Sequence, residues 1–171
     1  MIYWGKIEDR DDPNNMGRYR VRVFGIHSQN VNEIQTKALP WSVTLMPATS
    51  PSTNGVGDTP RLQVGNWVAV MFVDEMKQLP VILGTFYSRG EMVEGGSTSN
   101  RVIESESGHR VEINDSDSGY IKIQHTSGAI ITMDKNGNVN ITNTNRVYMD
   151  GDLRVDGEVS VGGDVVTDAG I

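Results

Sequence analysis

The sequence predicts an all-β protein in which a small N-terminal β-barrel precedes a β-helix that several copies of the chain build together. The first observation is alternation: basic and apolar residues take turns without a break over residues 18–24, which is typical of a strand with one buried face. The second is a six-residue repeat at the other end, seen in the apolar positions Leu153, Val159, Val165 and Ile171. A unit of this length matches one strand and one tight turn of a β-solenoid, because helical solenoid repeats are far longer.

The barrel is expected within residues 1–90. Five apolar segments read as strands, at residues 3–7, 18–26, 38–46, 67–73 and 80–86. Residues 67–73 are apolar at every position, so this strand is expected to be buried on both sides. The arginines of residues 18–24 alternate with the apolar positions and are expected outside. Five strands with long polar loops favour a partly open barrel of the OB type. Residues 30–37 have a weak helical pattern, which is equally compatible with a loop.

Residues 91–100 have the composition of a linker, and the rod of residues 101–171 follows it. Its short strands are expected at residues 101–104, 109–113, 120–124, 129–133, 138–142 and 146–149, separated by glycine-containing turns. Asn136-Gly137 lies between two alternating runs and predicts a tight type I′ turn. The spacing of the strands tightens toward the strict six-residue units, which predicts a rod that narrows and becomes more regular toward its end.

Each six-residue unit presents its apolar side chains to one face, since residues two apart in a strand point the same way. One chain has too little apolar material in such thin strands to enclose a core, so several copies are expected to wrap around one axis. The predicted core positions are Val139, Ile141, Leu153, Val155, Val159, Val161, Val165 and Ile171. The intervening acidic and basic residues are expected to face water.

Composition excludes several classes of function. The chain has 19 glycines, no cysteine and a net charge of −7, so it has neither a disulfide framework nor a thiolate metal cluster. The acidic balance argues against a general nucleic-acid binder, because affinity for phosphate comes from clustered lysine and arginine. No secretion leader or stretch of membrane-spanning length is visible, so we expect a soluble chain made in the cytoplasm.

Several motifs appear in order along most of the chain. They are Gly5-Lys6-Ile7-Glu8-Asp9-Arg10, Gly17-Arg18-Tyr19-Arg20-Val21-Arg22-Val23, Leu39-Pro40-Trp41, Val81-Ile82-Leu83-Gly84-Thr85, Ser107-Gly108-His109-Arg110-Val111-Glu112-Ile113 and the closing valine-glycine repeats. Together they resemble the central spike of contractile phage tail baseplates and the related valine-glycine repeat spikes of type VI secretion. The resemblance implies an OB-fold followed by a triple-stranded β-helix, and a homotrimer at the tip of the tail tube in the virion.

The resemblance also implies a mechanical role, in which the trimer pierces the host outer membrane while its barrel docks to a tail hub protein. The motif residues that become candidates for hub docking are Asp9, Arg10, Pro13, Gly17, Arg18, Arg20, Arg22, Pro40, Trp41 and Gly84. Two features depart from the family. A lysozyme domain, which some members carry between barrel and rod, does not fit into residues 91–100. The His-x-His pair that binds iron at some spike tips is absent, so we expect that the β-helix either ends bluntly or is capped by another protein.

We expect no catalytic residue, no cofactor and no metal site, and hence no enzyme. The acidic segment of residues 8–15 lacks the glycine and glutamate positions of an EF-hand loop. Acid pairs such as Asp156 with Glu158 recur with the repeat, whereas a catalytic pair needs one concave site. His109 and His125 are interpreted as surface or inter-chain packing residues. A basic ridge of arginines on an OB barrel is compatible with single-stranded nucleic acid, but aromatic residues for base stacking are sparse around it.

The alternative function is that of a trimeric fibre that adheres to a receptor or polysaccharide. Such a fibre ends in a globular, aromatic-rich head, whereas this sequence continues with six-residue units up to Asp168-Ala169-Gly170-Ile171.

Overall fold

The computed structural model describes residues 1–50, 53–143 and 145–163. The chain divides into two compact units, Met1–Met92 and Val93–Ile171. Nearly all of its regular structure is β-strand, and the helix found among the described residues is a single 3₁₀ turn at Thr36–Ala38. The prediction of an all-β protein is therefore confirmed. No helix in the described ranges is long and apolar enough to cross a membrane.

The first unit is a closed five-stranded barrel. Its strands are β1 (Tyr3–Asp9), β2 (Tyr19–Val23), β3 (Trp41–Thr44), β4 (Trp67–Phe72) and β5 (Pro80–Phe86). They close in the order β1-β2-β3-β5-β4, and β3 runs parallel to β5 while the other pairs are antiparallel. Five short strands with one parallel closure fit the OB-fold, as predicted.

The barrel interior is filled by alternate residues of each strand. The core consists of Ile7, Tyr19, Val21, Val23, Val68, Val70 and Ile82, each at most 5% exposed. The expectation that residues 67–73 are buried on both sides is wrong. Only Val68 and Val70 of β4 are fully buried, and Val73, beyond the strand, is 62% exposed. The other side of β4 is also apolar, and neighbouring aromatic rings cover it in part.

The second unit contains an antiparallel sheet of five strands in sequence order, here called the meander. Its strands are β6 (Asn100–Glu104), β7 (Arg110–Asn114), β8 (Tyr120–Gln124), β9 (Ile130–Asp134) and β10 (Val139–Thr142). Every pairing is between consecutive strands of one chain. Residues 100–142 therefore already form a sheet within one chain, and the intertwined β-helix expected from residue 101 stays a prediction.

Short turns explain why this part of the chain pairs with itself. In three of the four connections a hydrogen-bonded backbone pair beyond the strand ends closes a three-residue loop. These loops end in Gly108, Gly128 and Gly137, whose φ angles are 85°, 91° and 85°. In the last of these, Gly137 N–H donates to the Asp134 carbonyl and Asp134 N–H donates to the Asn138 carbonyl. A type I′ turn needs positive φ at both central residues. Asn136 is not among the residues with positive φ, so Asn136-Gly137 is a turn, as predicted, but of a different type.

The chain forms no strand between residues 145 and 163. The strand expected at residues 146–149 is therefore absent in a single chain. Two predicted core positions, Val165 and Ile171, lie outside the described residues.

Candidate interaction surfaces

The three arginines of β2 and the loop before it do not form a free basic ridge. Arg22 is 3% exposed, contrary to the expectation that the arginines lie outside. Its Nε donates to Glu8 Oε1 at 2.5 Å and its Nη2 to Glu8 Oε2 at 2.9 Å. The remaining guanidinium hydrogens reach the carbonyl oxygens of Ser28 at 2.5 Å and Ile34 at 2.8 Å. Arg22 thus ties the loop after β2 to the barrel wall, and its hydrogen bond lowers the pKa of Glu8.

Arg18 and Arg20 are paired in the same way. Arg18 makes a two-pronged contact with Asp12, with Nε to Oδ2 at 2.9 Å and Nη2 to Oδ1 at 2.7 Å. Arg20 lies 3.4 Å from Asp9 Oδ2 and donates to the carbonyl oxygens of Lys37 and Leu39. Each positive charge therefore has a carboxylate partner on the same chain, and little unbalanced positive charge remains for a phosphate backbone.

The acidic loop before β2 uses its carboxylates internally. Asp12 accepts hydrogen bonds from the backbone N–H groups of Asn14, Met16 and Arg18 as well as from the Arg18 side chain. The contact with Arg18, followed by these backbone donors, holds the pKa of Asp12 well below its usual range. Within the described ranges, no three His, Cys, Asp or Glu side chains are close enough together to hold a metal ion.

The structure gathers part of the predicted docking set around Trp41 on β3. The guanidinium of Arg20 lies 4.3 Å from the Trp41 ring centroid and that of Arg18 lies 5.5 Å from it, within cation–π range. Asp9 joins this group through Arg20, and Pro40 precedes Trp41 in the chain. Arg10 and Pro13 lie in the exposed loop after β1.

Two glycines complete the predicted docking set. Gly17 has a φ of 66°, and a side chain there would meet Pro60 at 3.4 Å. Gly84 lies on β5 opposite Ala69 of β4, where a Cβ would meet open space. Only Gly17 therefore has a local structural reason to be glycine.

An aromatic cluster on the outer surface of the barrel is absent from the predicted docking set. Phe24 stacks on Trp67 with ring centroids 5.3 Å apart, and Phe86 lies 6.0 Å from Trp67. Trp4 packs on Phe86 at 5.3 Å and is 63% exposed. Exposed tryptophan held by neighbouring rings is typical of protein interfaces. The signal in the sequence is that Trp4 and Trp67 lie on the outward parity of two strands that pair with each other.

The meander has one apolar face, defined here by two rows of side chains that run across its five strands. The register places Ile103, Val111, Ile123, Ile131 and Ile141 in one row. The second row contains Arg101, Ile113, Ile121, Met133 and Val139. Val111 and Ile113 are half-buried, and the exposure of the other apolar residues of the two rows ranges from 40% for Ile121 to 62% for Val139. A contiguous apolar surface of this kind marks a site of association.

On the opposite, polar face of the meander the charged side chains form ion pairs with one another. Glu112 is 5% exposed and accepts a hydrogen bond from Tyr120 Oη at 2.7 Å and another from Arg110. Burial alone raises the pKa of Glu112, but the hydrogen bonds from Tyr120 and Arg110 outweigh it, so the pKa is lowered. Arg110 also binds Glu104 at 2.6 Å and the Glu94 carbonyl at 2.7 Å. The charged groups of this face therefore satisfy one another.

The predicted core positions of the rod are exposed in one chain. Val139 and Ile141 belong to the apolar face, where they are 62% and 54% exposed. Among the six-residue units, exposure is 68% for Leu153, 47% for Val155, 64% for Val159 and 52% for Val161. The larger part of the apolar face, from Ile103 to Met133, was missed as a candidate site, although strand alternation and the glycine turns carry the signal for it.

Comparison with known proteins gives consistent matches. The family model described as the Gp5 N-terminal OB domain matches residues 25–150. The pre-baseplate central spike protein Gp5 of Enterobacteria phage T4 is 39% identical over 88 residues, which are 48% of this chain and 15% of that protein. Protein Gp5 of Vibrio phage KVP40 is 33% identical over 101 residues, 56% of this chain and 24% of that protein. The chain thus spans a quarter or less of the curated relatives that it matches.

Proposed function

We propose that this chain, which belongs to the family of Gp5 N-terminal OB domains, is a structural component of the central spike of a phage tail baseplate. Its place is the virion, at the tip of the tail tube. We also propose that the chain forms a homotrimer. Its rod acts mechanically when the tail contracts and makes transient contact with the host outer membrane. It assigns no nucleic acid as a partner and no wall-degrading chemistry to residues 1–171.

The observation that carries the proposal is the apolar face of the meander. Its rows include isoleucines that are about half exposed in one chain, such as Ile123 at 48% and Ile141 at 54%. Leaving such a surface in water is unfavourable by roughly 25 cal/mol per Å² of apolar area. The polar face has its charges paired and suits contact with solvent. Copies of the chain that turn their apolar faces inward form a closed prism with a dry interior and a charged exterior.

Three copies are proposed because three sheets with one apolar face each close a three-sided prism, in keeping with the resemblance to spike proteins. The six-residue units then continue the same prism as an intertwined β-helix, with Leu153, Val155, Val159 and Val161 inside. Continuous backbone pairing without free edges makes such a rod stiff. Stiffness is the property that a piercing device needs.

The barrel is proposed as the end that docks to the tail hub. The outer aromatic cluster with its exposed Trp4 offers apolar contact area, and the group around Trp41 offers a pattern of paired charges. A separate tip-capping protein is proposed to bind the far end of the rod.

Two neighbouring residues test the trimer. Ile131, 41% exposed, lies on the apolar face. Thr132 follows it on the polar face, where it pairs in register with Lys122. We expect Thr132→Asp to sediment as a trimer like the unchanged chain, and Ile131→Asp to lose the trimer, because a carboxylate in an apolar core costs several kcal/mol.

In one chain Ile131 is exposed and Thr132 is half-buried, so a monomeric protein tolerates Ile131→Asp at least as well as Thr132→Asp. A monomeric or dimeric mass for the unchanged chain in analytical ultracentrifugation, or equal masses for the two variants, contradicts the proposal.

A further inference from the structure

His109 and His125 lie on the same side of the meander as the apolar face. Arg110 and Gln124, which face each other in the register of β7 and β8, belong to the polar side. Side chains alternate along a strand, so the residues next to them, His109 and His125, point to the apolar side. The Ser105 N–H donates to the His109 carbonyl, which places both histidines in a third row beside Ile103, Val111 and Ile123.

The two imidazole rings form a close pair. Their centroids lie 4.4 Å apart with an angle of 35° between the planes. The Ser127 backbone N–H donates to His125 Nδ1 at 3.1 Å, and the Ser127 hydroxyl lies 2.8 Å from the same nitrogen. Because a backbone N–H always donates, this contact requires a His125 Nδ1 without a proton, as in the imidazole tautomer with its hydrogen on Nε2. A second proton on His125 breaks this hydrogen bond.

Few charged groups flank the pair. On the polar face, Arg110 pairs with Glu104 and Glu112. Lys122, three residues before His125, lies 3.7 Å from Glu112 on the same face. Glu106 lies in the loop before β7 and is exposed. Of the residues of the five strands on the apolar side, Arg101 alone is charged, and the register places it in the row of Ile113, the row farthest from the histidines.

We propose that the His109–His125 pair is a proton-sensitive contact inside the trimer. The inference rests on the proposed homotrimer, which covers the apolar side of each meander. Uncharged rings pack within the closed face. Imidazole changes its charge between pH 5 and 8, and two positive rings at this distance repel each other in a covered site. Acidification therefore weakens the contacts between copies at this end of the strands, and the barrel is not involved.

The experiment measures trimer dissociation of the full chain by sedimentation at about pH 8 and about pH 5. We expect a trimer at the higher pH and at least about a tenfold increase of the half-dissociation concentration at the lower pH. In the double variant His109→Gln, His125→Gln the increase is expected to shrink by more than half. His27→Gln, a change in the barrel, serves as the matched control and should leave the increase in place.

The outcomes separate the two proposals. A monomer at about pH 8 contradicts the trimer itself. A trimer that dissociates equally at both pH values, or a double variant with the full acid effect, overturns the proton-sensitive contact alone. If the double variant does not fold, the imidazole ring resonances of the unchanged chain decide the question by NMR. Protonation of both rings without any change in trimer mass also overturns the inference.

Discussion

Replacement of Arg22 by methionine is the most direct test of how the barrel is held together. Arg22 is 3% exposed and binds Glu8 through two hydrogen bonds of 2.5 and 2.9 Å. Two further donors satisfy the carbonyl oxygens of Ser28 and Ile34. Methionine keeps much of the volume of the side chain but removes every donor.

The expected loss of stability follows from the groups left behind. Removing one partner of a buried ion pair costs about 3–5 kcal/mol, because the other charge remains uncompensated. Glu8 keeps a hydrogen bond from Thr36 Oγ1 at 2.7 Å, and its side chain is 24% exposed, so water moderates the penalty. The two carbonyl oxygens add about 1 kcal/mol each if they stay unpaired. We expect a loss of about 3 kcal/mol in the free energy of unfolding of the barrel.

Tryptophan fluorescence during urea unfolding measures this loss, because Trp4, Trp41 and Trp67 all lie in the first unit. Arg61→Met, at an exposed position of the same unit, is the control and should change the free energy by less than about 0.5 kcal/mol.

Adding Glu8→Gln to Arg22→Met should restore part of the stability, since it removes the stranded charge. A loss below about 1 kcal/mol, or no gain from the second change, refutes the reasoning.

Acidification should destabilise the barrel in two steps, because the folded chain lowers the pKa of His27, mainly by burial, and of Glu8, mainly through the Arg22 hydrogen bond. The contribution of each group to the free energy of unfolding is lost as the pH falls below the pKa of its unfolded form, 6.5 for His27 and 4.5 for Glu8. A urea midpoint that stays constant between about pH 7 and pH 4 contradicts this expectation. Gly5→Ala should cost the barrel about 1–3 kcal/mol in urea unfolding, since a Cβ there would lie 2.5 Å from a methyl group of β2. Val159→Asp should prevent formation of the trimer while Asp156→Ser leaves it intact, and equal sedimentation of the two would reverse the assignment of inner and outer positions.

Local sequence patterns predicted the strands well and the environment of the arginines poorly. The alternation around β2 and the apolar run of β4 locate strands because each reflects one buried face. That Arg22 is buried depends on the loop that crosses over it, with the carbonyl oxygens of Ser28 and Ile34 as acceptors. Such a loop has no periodicity to reveal where it lies. Glu8 becomes the partner only through the pairing of β1 with β2.

The apolar face of the meander was predictable in principle and was missed for a physical reason. Alternation is clear in β7, β8 and β10, while Arg101 lies on the apolar face and Val102 and Ile130 lie on the polar face. The apolar face emerges only when the register across four turns is known. A three-residue loop with glycine in the left-handed conformation sets that register. Reading Asn136-Gly137 as a two-residue turn shifts the pairing and obscures the rows.

The length of the repeat gives a physical reason why the described residues 145–163, beyond β10, contain no regular strand. In the meander, successive strands begin at Arg110, Tyr120, Ile130 and Val139, so each strand and its turn together take nine or ten residues. A six-residue unit leaves no room for a strand, a three-residue loop and a return. Units such as the one from Leu153 to Glu158 therefore lack the length to pair with their neighbours as hairpins in one chain. In the proposed trimer their backbone groups find partners in other copies, and the shortening of the repeat would mark where pairing within one chain gives way to pairing between chains.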